Sequence, residues 1–222
     1  MNNTLAISSD KKDKRVLETW QLYLLITFIT VILSYAFQKF IITRDVYYAI
    51  YGEQLEADRI DQIFDLTKKF QLWGYLITPL TIWLRISFVA FLIQLPLMLK
   101  YIEIPFKEIF RITAFALLAL LSVDVIKFFY LYFLPGSSIT ADTLSFIPLA
   151  ITNFLPRENY SEIVFALLGK INPFEFLWIF IVYRGLHKTG KLEKTDALIY
   201  SLGTWIGILI LSFALTMFLS SL

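Results

Sequence analysis

The chain has 222 residues, 58% of them apolar and 17% aromatic, with a mean hydropathy of +0.67, whereas soluble domains usually hold about 45–50% apolar residues. It has no cysteine and a single histidine, His187, which excludes disulfides, thiolate or multi-histidine metal sites, cysteine nucleophiles and a serine–histidine triad. A net charge of +2 is too small to point to a nucleic-acid partner, so the placement of the charges matters more than their sum.

Residues 1–19 form a polar tail carrying Lys11, Lys12, Lys14 and Arg15. The apolar run after it is longer than the core of a signal peptide and is not followed by a small-residue cleavage site, so it reads as an anchor that stays in the protein. This first span covers 20–42, with Trp20 as an interfacial anchor. A polar loop follows over 43–69. Within it Ile60, Ile63, Phe64 and Thr67 recur at helical spacing with acids between them, which predicts a short amphipathic surface helix. The second span covers 71–99. The whole apolar run from residue 70 is about 45 Å long as a helix, so it must tilt, kink near Pro79 or project beyond the bilayer.

A charged connector, 100–111, leads to a third span over 112–134, stopped by Pro135-Gly136. The stretch after it is the least regular. Segment 146–155 is apolar but only ten residues long and contains Pro148, too short to cross; 161–168 looks amphipathic. Asn172-Pro173-Phe174-Glu175 is a helix start, with Asn at the N-cap, Pro at the first helical position and Glu three after the cap. The helix it opens, 172–187, measures roughly 21 Å. It is expected to begin below the outer surface, with 146–168 dipping or lying beside it; a single broken helix over 161–186 is the alternative. The last span covers 197–219.

These segments predict an all-α integral membrane protein, a bundle of about five transmembrane helices in one domain over 20–222. The outer loops 43–69 and 136–170 carry its amphipathic or re-entrant segments. Lys and Arg set the orientation. The inner segments 1–19, 100–111 and 184–196 hold 11 of them in 44 residues, and the outer loops hold six in 62. The excess places the N-terminus in the cytoplasm, and five spans place the C-terminus outside. Counting 146–155 as a span would put the basic connector 184–194 outside, against the rule.

Three ionisable residues fall deep in these spans: Arg85 in the second, Asp124 and Lys127 in the third. Each costs at least about 2.5–3.5 kcal/mol in hydrocarbon unless paired or facing a cavity. Arg85 is fourteen residues from Leu99 and Asp124 twelve from Ile112, which predicts an interhelical Arg85–Asp124 pair at matched depth. Lys127, on the same face as Asp124, could share that carboxylate or approach Glu175. Polar glue between helices is favoured over an ion or substrate path, since no carboxylate chain or inverted repeat of the transporter kind occurs. As the third residue of its helix, Glu175 is expected to be satisfied by backbone N–H groups and the helix dipole. His187 reads as an exposed interfacial residue.

In the last span Gly203 and Gly207 form a GxxxG spacing, with Ala214 continuing the small face. Close packing inside the bundle is the first expectation and a homo-oligomer contact the sharper one. No phosphate loop, zinc spacing or nucleophile elbow occurs, so no catalytic residue, metal or cofactor is assigned and an enzyme is not expected.

Two stretches, IPFKEIFRITAFALLALL and INPFEFLWIFIVYRGLHKTGKLEKTDALIYSLGTWIGILIL, carry a resemblance to a known family. Trp178, then Gly185-Leu186, a basic stretch, and Asp196-Ala197 opening the last helix make up the pattern. Over about 100–120 and 171–211 the chain resembles the Yip1 family of multispan membrane proteins, in a divergent, bacterial branch with longer outer loops. The resemblance implies a five-helix bundle with a cytoplasmic N-terminus. Eukaryotic members are similar to adaptors that bind partner proteins, and the family motif, being a packing pattern, transfers no functional residue. The expected function is thus a non-enzymatic scaffold or accessory subunit of the bacterial cytoplasmic membrane, binding a membrane or cytoplasmic protein partner. The alternative is a transporter or channel component whose polar path is lined by Arg85, Asp124, Lys127 and Glu175.

Overall fold

The computed structural model describes residues 17–220, and every regular element in that range is helical. The tail cations Lys11, Lys12, Lys14 and Arg15 lie outside the described residues. Eight α-helices follow one another: α1 (Thr19–Ala36), α2 (Arg44–Tyr51), α3 (Ala57–Leu99), α4 (Phe106–Tyr132), α5 (Ala141–Ser145), α6 (Glu162–Leu168), α7 (Pro173–Lys188) and α8 (Lys194–Ser220). Four are long and apolar enough to cross a bilayer: α1 with the π turn Phe37–Ile41 that continues it, α3, α4 and α8. The α6–α7 pair, bent by 54° at its break, makes a fifth candidate.

The second span is where sequence and structure part most. Residues 57–69 do not form a separate surface helix; they are the first turns of α3, which runs unbroken for 43 residues, about 65 Å at 1.5 Å per residue. Pro79 and Pro96 are accommodated inside it. The hydroxyl of Tyr23 donates to the Pro79 carbonyl at 2.9 Å, tying α1 to this point. The spacing of Ile60 and Phe64 does mark a buried stripe, but it is covered by α2, where Val46 is buried and Tyr47 meets the Phe64 ring edge-on. Arg44 at the start of α2 bridges Asp61 at 3.4 Å and Asp65 at 3.1 Å.

α4 is the centre of the bundle. In its most apolar 18-residue window 44% of residues are buried, against 6% in α8. Its buried Ala114, Ala116 and Ala119 let neighbouring backbones approach, as small residues do where helices pack closely. On one side α1 and α3 pack through Leu22, Ile26, Ile82 and Ile86 against Ala114, Leu117 and Leu121. On the other, α7 packs through Trp178, Val182 and Leu186. The two helices approach closely at Gly185, where a Cβ would stand 2.5 Å from Ile112 Cγ2 and 2.8 Å from Cγ1. Only glycine fits there.

The ends of the helices are gathered accordingly. The last turn of α3, the first of α4 and α8 and the last of α7 share one core containing Leu97, Ile109, Leu186 and Ala197. Arg111 reaches from α4 to the Leu17 carbonyl at 3.2 Å, adding the start of α1 to that end. At the opposite end Ile41, Val46, Leu131 and Ile139 form a separate cluster.

Gly203 and Gly207 of α8 face away from all of this. Nothing lies within 4 Å of a Cβ built on either, and Ala214 is exposed, so the small-residue face does not pack inside the bundle as first expected. A pair of variants separates the two glycine sites. Gly185→Ala overpacks the α4–α7 contact and should cost about 1–3 kcal/mol. Gly203→Ala meets open space and should be neutral or gain up to about 1 kcal/mol from helix propensity. Thermal unfolding of both variants in the same detergent checks this, and equal losses would contradict the assignment of faces.

Candidate functional site

The site begins with a broken helix. α6 ends at Leu168 and α7 starts at Pro173, so the backbone between them leaves the helical ladder. Asn172 repairs the start of α7: its Oδ1 accepts the N–H groups of Phe174 and Glu175, both at 3.0 Å, and its Nδ2 donates to the Gly169 carbonyl at 3.0 Å. Asn172 is only 4% exposed, so these bonds form out of contact with water, where an unsatisfied N–H is costly. Segment 146–155 backs the break. The N–H of Ile151 donates to the Ile171 carbonyl at 3.0 Å, and Ile147 packs against Gly169, with 3.2 Å to the position of a Cβ there. α6 and α7 are bent by 54° at this break, an arrangement common to the broken helix over 161–186 and to a short fourth helix with 146–168 beside it.

Glu175 departs from its expected role. The backbone N–H groups of the first turn are taken by Asn172, and the carboxylate turns sideways to α8. There Trp205 Nε1 donates to its Oε2 at 3.0 Å, while Lys170 Nζ stands 4.0 Å from Oε1. The start of α7 is thereby fastened eleven residues along α8 from Lys194, about 17 Å up that helix, and α8 continues well beyond it.

Beside this bond lies an open cavity of about 100 Å³, bounded by α3, α4, α7 and α8 and by Lys170 of the break. Ile86, Val89, Leu117 and Trp178 make its apolar wall; Arg85, Thr113, Lys170, Glu175, Trp205 and Ser212 are its polar members. Arg85 is fourteen residues from the end of α3, about 21 Å, close to the level of Glu175 and Trp205.

Of the four charges singled out by the sequence, Arg85 and Glu175 line this cavity, and Asp124 and Lys127 do not. Arg85 and Asp124 make no ion pair within 4.0 Å among the described residues. Lys127 reaches neither Asp124 nor Glu175 at bonding distance. Depth counted along two helices leaves the rotation of each about its axis undetermined, and Arg85 is turned toward the cavity. Asp124 sits one turn beyond Leu120 on α4, outside the cavity wall.

His187 is half-buried rather than exposed. Its Nδ1–H donates to the Leu192 carbonyl at 3.0 Å and its ring stacks on Tyr183, so it braces the turn between α7 and α8. Trp205, Lys170 and Ser212 were not legible as site residues. One signal was available for Trp205: an indole N–H within an apolar helix needs an acceptor, and Glu175 is one of the two carboxylates found at comparable depth. No protein-family model, curated protein or solved structure matches the chain.

Removing the indole donor isolates the Glu175 bond. Trp205→Phe keeps the ring and leaves the carboxylate with only the distant Lys170, and should destabilise the protein by about 1.5–3 kcal/mol, the range for a bond to a charged group. Glu175→Gln retains an acceptor and should lose less. Denaturant or thermal unfolding of the two variants gives the comparison, and a fully stable Trp205→Phe would dismiss the bond as a structural tie.

Proposed function

We propose that this chain is a non-enzymatic multi-pass protein of the bacterial cytoplasmic membrane, acting as a scaffold or accessory subunit that joins a membrane partner along α8. The observation that carries this reading is the outward face of α8: only 6% of its most apolar window is buried, and Gly203 and Gly207 open onto empty space. Lipid tails gain nothing special from glycine, whereas a second helix gains close backbone approach. The Yip1 resemblance, resting on the residues quoted for it, agrees with an adaptor role. A second reading, a transport or channel component, draws its support from the polar cavity at the helix break, since non-helical backbone at membrane depth is tolerated where it is buried in protein or lines a cavity.

In this reading α1, α3, α4, the broken α6–α7 pair and α8 are five crossings, with the N-terminus inside and the C-terminus outside. The absence of native cysteine makes two tests direct. With Glu158→Cys and Lys191→Cys, an impermeant maleimide applied to intact spheroplasts should label the first and reach the second only after permeabilisation; labelling of both from outside would reverse the assignment. For the partner surface, Gly207→Cys should yield a disulfide-linked or bismaleimide-linked adduct with a partner or a second copy in native membranes. Thr204→Cys, buried on the inner face, should not. A chain that remains alone and monodisperse with both variants would remove the scaffold reading.

A further inference from the structure

The cavity between α3, α4, α7 and α8 is chemically lopsided. Three of its lining residues are exposed, Arg85, Lys170 and Ser212, and they therefore stand where it opens. All three offer hydrogen-bond donors: a planar guanidinium fork, an ammonium and a hydroxyl. The one carboxylate among the described lining residues, Glu175, is set further in and already accepts from Trp205. Lys170 is only loosely engaged, 4.0 Å from the other Glu175 oxygen. Arg85 has no hydrogen bond or ion pair among the described residues.

An uncompensated guanidinium far along an apolar helix is costly, and such groups mark functional sites by default. Asp124 is not in contact with it: the two make no ion pair within 4.0 Å among the described residues, and Asp124 lies outside the cavity lining. Among the described lining residues two cations, Arg85 and Lys170, face one carboxylate, Glu175, and one positive charge is left over. The N-terminus of α7 adds nothing, because Asn172 already occupies its first N–H groups.

From this arrangement we infer that the mouth of the cavity binds a phosphate-type oxyanion, held by the Arg85 fork with Lys170 and the Ser212 hydroxyl. Guanidinium matches a tetrahedral oxyanion through two parallel N–H···O bonds, and the ammonium adds a point charge. The free volume, about 100 Å³, admits one small group and not a whole lipid. If the phosphate belongs to a lipid headgroup, its acyl chains lie outside along exposed apolar residues of α3 such as Leu84 and Phe88. A soluble phosphate would use the same three donors. The site is separate from the outward face of α8 and needs no partner chain.

The test uses the full-length protein, delipidated in a neutral detergent. One arm titrates inorganic phosphate and follows binding by calorimetry. The other adds dioleoyl phosphatidylglycerol and counts bound lipid by native mass spectrometry. Saturable binding of phosphate assigns a soluble source, and retention of the lipid alone assigns a headgroup; either supports the site. In both arms Arg85→Gln should weaken binding by about tenfold or more, the loss expected for a charge-assisted hydrogen bond, with Arg85→Lys intermediate because it keeps charge without the fork. Lys170→Gln, at an exposed side chain, should also weaken binding and carries the comparison if Arg85→Gln does not fold. Failure of both probes to bind, or binding unchanged in both glutamine variants, overturns the proposal.

Discussion

A helix that begins among apolar helices leaves its first N–H groups with no water to bond, and that requirement governs the second half of this chain. Asn172 meets it with one side chain that serves both ends of the break, accepting from Phe174 and Glu175 and donating back to Gly169. Because these bonds satisfy the α7 terminus without Glu175, the carboxylate is free to turn to Trp205 on α8. The register between α7 and α8 follows from that contact at one end. At the other it follows from His187 holding the Leu192 carbonyl. A short helix is thereby clamped to a long one at two points.

The cavity is a by-product of the same break. Because α7 starts part-way along α8 and turns away from α6 by 54°, the four surrounding helices cannot close completely at that level. Polar side chains collect there because that is where the packing leaves room for them. Arg85, Lys170 and Ser212 are at the open side and the apolar residues of α3, α4 and α7 are behind them. The balance of donors over acceptors, and not the number of charges, gives the opening its chemical character.

The bundle is also asymmetric. α4 is buried by α1, α3 and α7, with alanines and Gly185 permitting the contacts, while α8 is held along only part of its length and is exposed over the rest. A helix packed on all sides fixes its neighbours; a helix packed on one side leaves a surface to be used. Gly185 and Gly207 illustrate the two situations with the same residue, one with 2.5 Å to a neighbouring methyl and the other with nothing in reach.

What the sequence by itself determined is the helical class, the four long apolar helices to within a few residues at most of their ends, and the start of α7 at its Asn172 cap. These are local properties: hydropathy over about twenty residues, proline and glycine stops, and a capping side chain two or three residues from its partners. The local pattern was also right that Ile60 and Phe64 form a buried stripe, but it could not tell a separate surface helix from the first turns of α3, because both have the same period. Only the tertiary structure decided that Arg85 turns to a cavity and not to Asp124, that Glu175 belongs to Trp205, that His187 is a brace, and that Gly203 and Gly207 face outward. Each of these depends on how far a helix is rotated about its own axis relative to a neighbour distant in the chain. Depth can be counted along a sequence; rotation is set by the packing of every contact at once.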